Sequence, residues 1–216
     1  MSALIAVVDY CKGNLANVQR GLADAGFDAR ITQDPKDILC ADGIVLPGVG
    51  AFADAMTTMN RSGQTQALKE VVHAGVPFLG ICLGVHLIFE WGDEGCDTGT
   101  RMDGFGFLPG HVERVAAIDA EGKKHKVPHV GWNSVEYVQD SPLFEGIPDG
   151  SYFYFTHSYC AMPSSLEHAI AMTTHAQTFA SAVAHENIFG VQFHPEKSSR
   201  LGLKLLENFG GIVRNA

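Results

Sequence analysis

Phe78-Leu79-Gly80-Ile81-Cys82-Leu83-Gly84 sets a cysteine directly behind an apolar run, with glycine two positions to either side. Residues 77–81 are short, apolar and bounded by turn formers, the pattern of a buried strand, and a helix is predicted from Leu83. A chain that turns sharply from strand to helix needs small flanking residues, and the turn exposes the side chain at its apex. A thiol placed there also faces the unpaired N–H groups and positive dipole end of the helix, which favours the thiolate. Cys82 is therefore the candidate nucleophile; the alternative at this point is a buried cysteine that acts only as a small hydrophobe.

Outward from this turn, strands and helices alternate. Residues 4–8 are β-rich, and the segment from Asn14 carries Leu15, Val18, Leu22 and Ala25 at helical spacing, with Gly26 as C-terminal cap. Strands are predicted near residues 28–31 and 43–46, a helix around 65–73, a closing strand at 188–194 and a final helix at 199–209, in which Leu201, Leu205 and Phe209 share one face. This order implies right-handed crossovers and an α/β fold: a mostly parallel open sheet with helices on both faces. Between residues 104 and 155 the texture changes to short apolar runs broken by Gly, Pro and Asn, at 106–115, 134–137 and 152–155, read as antiparallel strands added to the main sheet. No repeat or internal boundary is visible, so residues 1–216 are expected to form one domain.

The 216 residues are 46% hydrophobic and 18% charged, the composition of a folded globular chain. The net charge of −9 comes without a Lys/Arg cluster, which argues against nucleic acid as a partner. The apolar run 4–8 is broken at once by Asp9, so it is neither a signal peptide nor a membrane span. The five cysteines, Cys11, Cys40, Cys82, Cys96 and Cys160, are scattered and form no CxxC pair, so no metal site is expected and a reducing cytoplasm fits. Cys11, beside Lys12, is the only other cysteine with any sign of reactivity.

A cysteine nucleophile needs a base, usually a histidine held by a carboxylate or amide. Of ten histidines, His194 stands out because it ends the run 189–193, where the C-terminal ends of parallel strands gather ligands, and because Pro195-Glu196 follows. Residues two apart in an extended segment point the same way, so Glu196 is expected to reach the imidazole. Taken alone, His-x-Glu is also a common surface pattern. The loop Pro47-Gly48-Val49-Gly50 ends another strand, and its glycines let backbone N–H groups face a reacting carbonyl; Val49 or Gly50, with the N–H of Leu83, would make an oxyanion hole. A simple tight turn is the alternative there, since no phosphate-loop spacing is present.

Together, Pro47-Gly-Val-Gly50, Gly80-Ile-Cys-Leu-Gly84 and Phe189-Gly-Val-Gln-Phe-His-Pro-Glu196 resemble, in order and spacing, the three signature segments of class I, triad-type glutamine amidotransferases, and the resemblance runs over essentially the whole chain. Val8-Asp-Tyr10, Gly48-Val-Gly-Ala-Phe52, Pro128-His-Val-Gly-Trp-Asn133, His157-Ser-Tyr159 and Glu196-Lys-Ser198 are most similar to the glutaminase subunits of imidazole glycerol phosphate synthases. The resemblance implies a flavodoxin-like fold, a Cys82–His194–Glu196 triad that releases ammonia from glutamine, and no cofactor. It further implies substrate contacts at Gly48, Gly50, His86, His157, Ser158 and Tyr159. It also implies a (β/α)8-barrel synthase partner in a 1:1 heterodimer, which takes the ammonia through a protected channel, with Trp132 and Asn133 at the interface. A buried structural tryptophan is the alternative for Trp132. A glutaminase of another amidotransferase, a γ-glutamyl hydrolase and a non-catalytic domain of the same fold are the rival readings. The sequence departs from the family pattern at Val85 and His86, where Met and a substrate-contacting Gln are usual, so altered glutamine affinity is expected. It departs again at Cys11, where glycine is usual.

Overall fold

The computed structural model of the chain describes residues 3–11 and 13–216. Lys12, the expected neighbour of Cys11, lies outside the described residues. The first half follows the predicted alternation: β1 (Leu4–Val8), α1 (Leu15–Asp24), β2 (Asp28–Thr32), α2 (Pro35–Leu39), β3 (Gly43–Gly48), α3 (Phe52–Ser62), α4 (Gln64–His73), β4 (Phe78–Cys82) and α5 (Leu83–Leu87). Helices α2 and α3 are additions to that pattern. Helix α2 is a single turn started by Pro35, with the Asp34 side chain accepting from the N–H of Lys36. Helix α3 runs directly into α4 through Gly63 at φ +80°.

The second half adds β5 (Trp91–Gly92), β6 (Met102–Asp103), β7 (Gly110–Arg114), β8 (His129–Tyr137), β9 (Ser151–His157), β10 (Tyr159–Pro163), β11 (Ala169–Thr174), β12 (Thr178–His185), β13 (Ile188–Val191) and α6 (Ser199–Asn215). The main sheet has the order β2-β1-β3-β4-β13-β12-β11-β8-β9. Strands β2, β1, β3, β4 and β13 pair in parallel, and from β13 to β9 every pairing is antiparallel.

Three expectations are corrected. Residues 106–115 do not join the main sheet: β7 pairs antiparallel with β10 and parallel with β5 in a separate four-stranded sheet, so both of its edges are already taken. The closing strand ends at Val191, three residues before His194. The last helix continues past Phe209 to Asn215, since Gly210 packs against the Phe27 ring and Val213 is buried.

The parallel strands are apolar on both faces because both faces are covered. Ile5 and Val7 pack with Val18, Leu22, Leu205 and Phe209 on the side of α1 and α6. Ala6 and Val8 pack with Ile38, Met59, Leu68 and Phe78 on the side of α2, α3 and α4. Each buried Leu, Ile or Phe contributes about 1.5–3 kcal/mol of hydrophobic stabilisation, so both layers hold the C-terminal ends of β3, β4 and β13 side by side. Among the described residues no helix is long and apolar enough to cross a membrane.

Candidate active site

Cys82 sits at the end of β4 with φ +54° and ψ −107°, a backbone conformation rare for a residue with a side chain. Its neighbours explain how the turn is tolerated. A Cβ on Gly80 would lie 2.5 Å from the carbonyl oxygen of Gly84, and one on Gly84 would lie 1.9 Å from that of Leu46. Both glycines are therefore demanded by close backbone approach, and the strained elbow read from the sequence is present. The helix behind it, α5, has only five residues, so the expected dipole support for a thiolate is confined to one turn of N–H groups.

His194 lies beyond β13 at the start of a 3₁₀ turn, Pro195–Lys197. The expected pairing with Glu196 is present, through a turn and not through an extended segment: His194 Nδ1 is 2.9 Å from Glu196 Oε1, with both side chains buried. Asn14 Nδ2 approaches the same carboxylate oxygen at 3.4 Å. Ser198 holds this loop, donating its hydroxyl to the His194 carbonyl at 2.6 Å and accepting from the Tyr154 N–H at 3.0 Å. Gly202 of α6 lets the helix press on it, since a Cβ there would lie 1.9 Å from the Pro195 carbonyl oxygen.

With Nδ1 committed to Glu196, Nε2 is the ring nitrogen left to interact with Cys82; it is buried and makes no hydrogen bond of ordinary geometry among the described residues. Burial lowers the pKa of His194, but Cys82 and Glu196 outweigh it and push the imidazole up to about 9. A neighbouring thiol and a carboxylate thus favour the protonated ring, the electrostatic setting of a thiolate–imidazolium pair.

Cys82 opens into a cavity of about 400 Å³. It is lined by Val49, Gly50 and Ala51 after β3, by Leu83 and His86 of α5, by Thr156, His157, Ser158 and Tyr159 around the β9–β10 connection, and by Glu94 and Pro128. Of the residues expected there, Val49, Gly50, Leu83, His86, His157, Ser158 and Tyr159 all border it, and Gly50 has φ +103°. Gly48 does not. It is buried at the end of β3, where a Cβ would lie 1.9 Å from the Tyr10 hydroxyl, so its role is to admit that phenol. A larger groove of about 1220 Å³, lined by Leu4, Asp28, Ala41, Pro77 and Arg214, lies at the opposite ends of the strands and carries none of these groups.

The two histidines of the cavity are tied inward. His157 donates Nδ1–H to the Tyr159 carbonyl at 2.7 Å and accepts at Nε2 from His129 Nδ1 at 3.0 Å; burial holds both neutral, lowered to about 3 and about 4. His86 Nε2 contacts Gln192 Oε1 at 2.7 Å.

Glu94 borders the cavity, although nothing in the sequence marks it. It stands in a loop of Gly and Asp, and only the fold brings it there, where burial raises its pKa to about 7. Trp132 is 52% exposed, which removes the alternative of a core tryptophan. Asn133 turns inward instead, donating to the Thr174 carbonyl at 2.9 Å and approaching His129 Nε2 at 3.3 Å.

Comparison with known proteins identifies the family. A family model described as glutamine amidotransferase class-I matches residues 6–211. The chain is 47% identical over 212 residues to "Imidazole glycerol phosphate synthase subunit HisH" of Moorella thermoacetica, covering 98% of this chain and 96% of the relative. It is 40% identical over 210 residues to the protein of that name in Syntrophotalea carbinolica, covering 97% and 100%. In fold it resembles PurLQS of Thermotoga maritima, with TM-score 0.71, 16% identity and coverage of 100% of this chain and 99% of the other. A glutamine amidotransferase of Thermotoga maritima is also similar in fold, with TM-score 0.63, 16% identity and coverage of 100% and 85%. The match over nearly all of its length places the chain in the class-I glutamine amidotransferase family.

Proposed function

We propose that this chain is the glutaminase subunit of an imidazole glycerol phosphate synthase, with Cys82 as nucleophile, His194 as base and acid, and Glu196 as the group that orients the ring. The observation that carries this reading is the strained Cys82 elbow opening into one cavity beside a buried His194–Glu196 pair; relatives of the same length bear that subunit's name.

In this mechanism the Cys82 sulfur attacks the γ-carboxamide carbon of glutamine. The carbonyl oxygen becomes an oxyanion facing backbone N–H groups of Leu83 and of the Val49–Gly50 loop. His194 then gives its proton to the departing nitrogen, which leaves as ammonia while a γ-glutamyl thioester remains on Cys82. Water, deprotonated by His194, attacks the thioester, the thiolate departs, and glutamate is released. The neutral His157 and the backbone of Ser158 and Tyr159 line the wall against which the substrate's carbon chain rests.

Glu94 supplies the charge complement for the α-ammonium group of glutamine. Its carboxyl is raised to about 7, so below that pH the acid form predominates and the ion pair is lost; above it the carboxylate is ready. KM for glutamine is therefore expected to fall as pH rises through 7. Glu94→Gln should raise KM by roughly tenfold, the scale of a lost charge-assisted hydrogen bond, and remove that pH dependence with little change in kcat. Steady-state kinetics over a pH series would check this; an unchanged KM would remove Glu94 from the substrate site.

The synthase partner in this reading is a (β/α)8 barrel in a 1:1 heterodimer in the cytoplasm, with residues 1–216 acting as one amidotransferase domain. Val130, Trp132 and Tyr152 are exposed on the β8–β9 edge, an apolar surface suited to docking. Ammonia set free in water is mostly converted to ammonium, so delivery requires such a sealed contact.

Glutamate release is the test, measured for the purified chain alone and then with a cognate barrel synthase and its nucleotide ligand. A large rise only in the mixture supports the proposal. Strong activity of the chain alone would favour a free-standing γ-glutamyl hydrolase, and silence in both would overturn the assignment of partner.

A further inference from the structure

Gln192 leaves β13 one residue after Val191, and Val191 is paired with Ile81, so Gln192 lies alongside Cys82. Its side chain is fully buried. The amide bridges two groups: Oε1 is 2.7 Å from His86 Nε2, and Nε2 is 3.8 Å from Cys82 Sγ.

The direction of this bridge follows from the groups around the sulfur. The Thr156 carbonyl, 3.9 Å from the sulfur, can only accept a hydrogen bond, and the thiolate formed when the proton passes to His194 calls for a donor. The NH2 end of the amide therefore meets the sulfur, and Oε1 faces His86, whose Nε2 must carry a proton. Burial keeps His86 neutral, with its pKa lowered to about 4, so it acts through its tautomer and not through charge. His86 Nδ1 is buried and makes no hydrogen bond of ordinary geometry among the described residues, although the Tyr159 backbone lies near enough to favour a proton on the ring, so the contact to Gln192 is the ring's one close hydrogen bond.

We propose that Gln192 is a catalytic residue that donates a hydrogen bond to the Cys82 thiolate, and that His86 is a positioning residue that fixes the amide with its NH2 toward the sulfur. This deepens the glutaminase reading and rests on Cys82 being the nucleophile. When the proton leaves sulfur for His194, the Thr156 carbonyl loses its donor and becomes a repulsive neighbour. The amide N–H then gains the strength of a charge-assisted bond. The imidazole at position 86, where the family commonly has a glutamine, thus affects the reaction through Gln192 and the sulfur.

The test is the rate at which iodoacetamide modifies Cys82 in the full chain, followed over a pH series by mass spectrometry of the Cys82 peptide, because Cys11 and Cys40 are exposed and also react. The other titratable groups that face the sulfur or its cavity are His194, Tyr10, His157, Tyr159 and Glu94, and all stay in place in each variant. Gln192→Met and Gln192→Leu remove the donor at similar volume. Each is expected to slow modification about tenfold at neutral pH and to move the half-maximal pH up by about one unit, the scale of a hydrogen bond to a charged group. His86→Leu should shift the profile the same way, whereas His86→Gln, which still presents an N–H to Oε1, should restore it. An unchanged or downward shift in folded Gln192 variants, verified by thermal melting, would overturn the proposal, as would identical profiles for His86→Leu and His86→Gln. Because alkylation needs no glutamine, a wild-type chain that shows the profile but releases no glutamate, either alone or in the mixture with the synthase and its nucleotide ligand, would overturn the proposed function and leave this inference standing.

Discussion

Cys82→Ala is expected to lower kcat/KM for glutamine by about four orders of magnitude or more, the scale seen when a covalent nucleophile is removed, while the complex with the synthase partner still uses added ammonium salt. The reason is a division of labour: the sulfur is needed to form the thioester, but ammonia offered directly bypasses that step. The substitution deletes one side-chain atom beyond Cβ at a site that is already strained, so the fold should persist. Cys82→Ser should behave similarly, because an alkoxide is far harder to form than a thiolate beside the same imidazole. Paired assays of glutamine-dependent and ammonia-dependent synthesis decide the matter. Retained glutamine-dependent synthesis would end the covalent mechanism, and joint loss of both activities with a lowered melting temperature would mean that the elbow had unfolded.

The second large effect is expected from Gly84→Ala. The added Cβ would stand 1.9 Å from the Leu46 carbonyl oxygen, and Leu46 belongs to β3, which is paired on both sides, with β1 and β4. Neither backbone can yield without breaking the ladder that positions Cys82. A cost of about 3 kcal/mol or more is expected, equivalent to a fall in Tm of roughly 6–12 °C for a chain of this size, together with loss of glutamine hydrolysis. Gly211→Ala is the control: a Cβ there meets nothing within 4 Å, on a helix, so the same chemical change should be neutral or stabilise by about 1 kcal/mol. Equal melting temperatures for the Gly84 variant and the parent would show that the elbow relaxes, and would remove the steric account of its glycines.

The elbow could be read from the sequence because its requirements are local: a buried strand, a helix start and glycines at two fixed offsets all lie within seven residues. His194 and Glu196 were legible for a similar reason, although the bridge between them is a 3₁₀ turn and not the extended segment that their spacing predicts. Cys11 shows the same local logic from the other side. It holds φ +72° with its N–H on Asp9 Oδ1 at 2.6 Å, the left-handed conformation that suits the glycine usual at that position.

Other residues gave no local sign. Glu94 and Asn14 reach the site through loops whose own sequences look like ordinary turns. Gln192 reads as one more residue at the end of an apolar strand. The second sheet was missed because β5 and β6 are two residues each, too short to carry a period.

What the sequence determined by itself was the alternation of elements, the α/β class, and the candidate nucleophile with its candidate partners in order along the chain, all consequences of side-chain periodicity and of turns a few residues long. What only the tertiary structure decided was which residues share the space around the sulfur. The parallel register of β13 on β4 sets Gln192 beside Cys82, the inward tie of His157 through His129 fixes one part of the cavity lining, and Glu94 comes to border the cavity. The first of those placements depends on strand pairing between segments more than a hundred residues apart, and all three on desolvation by the packed layers; neither quantity is encoded in any short window of the chain.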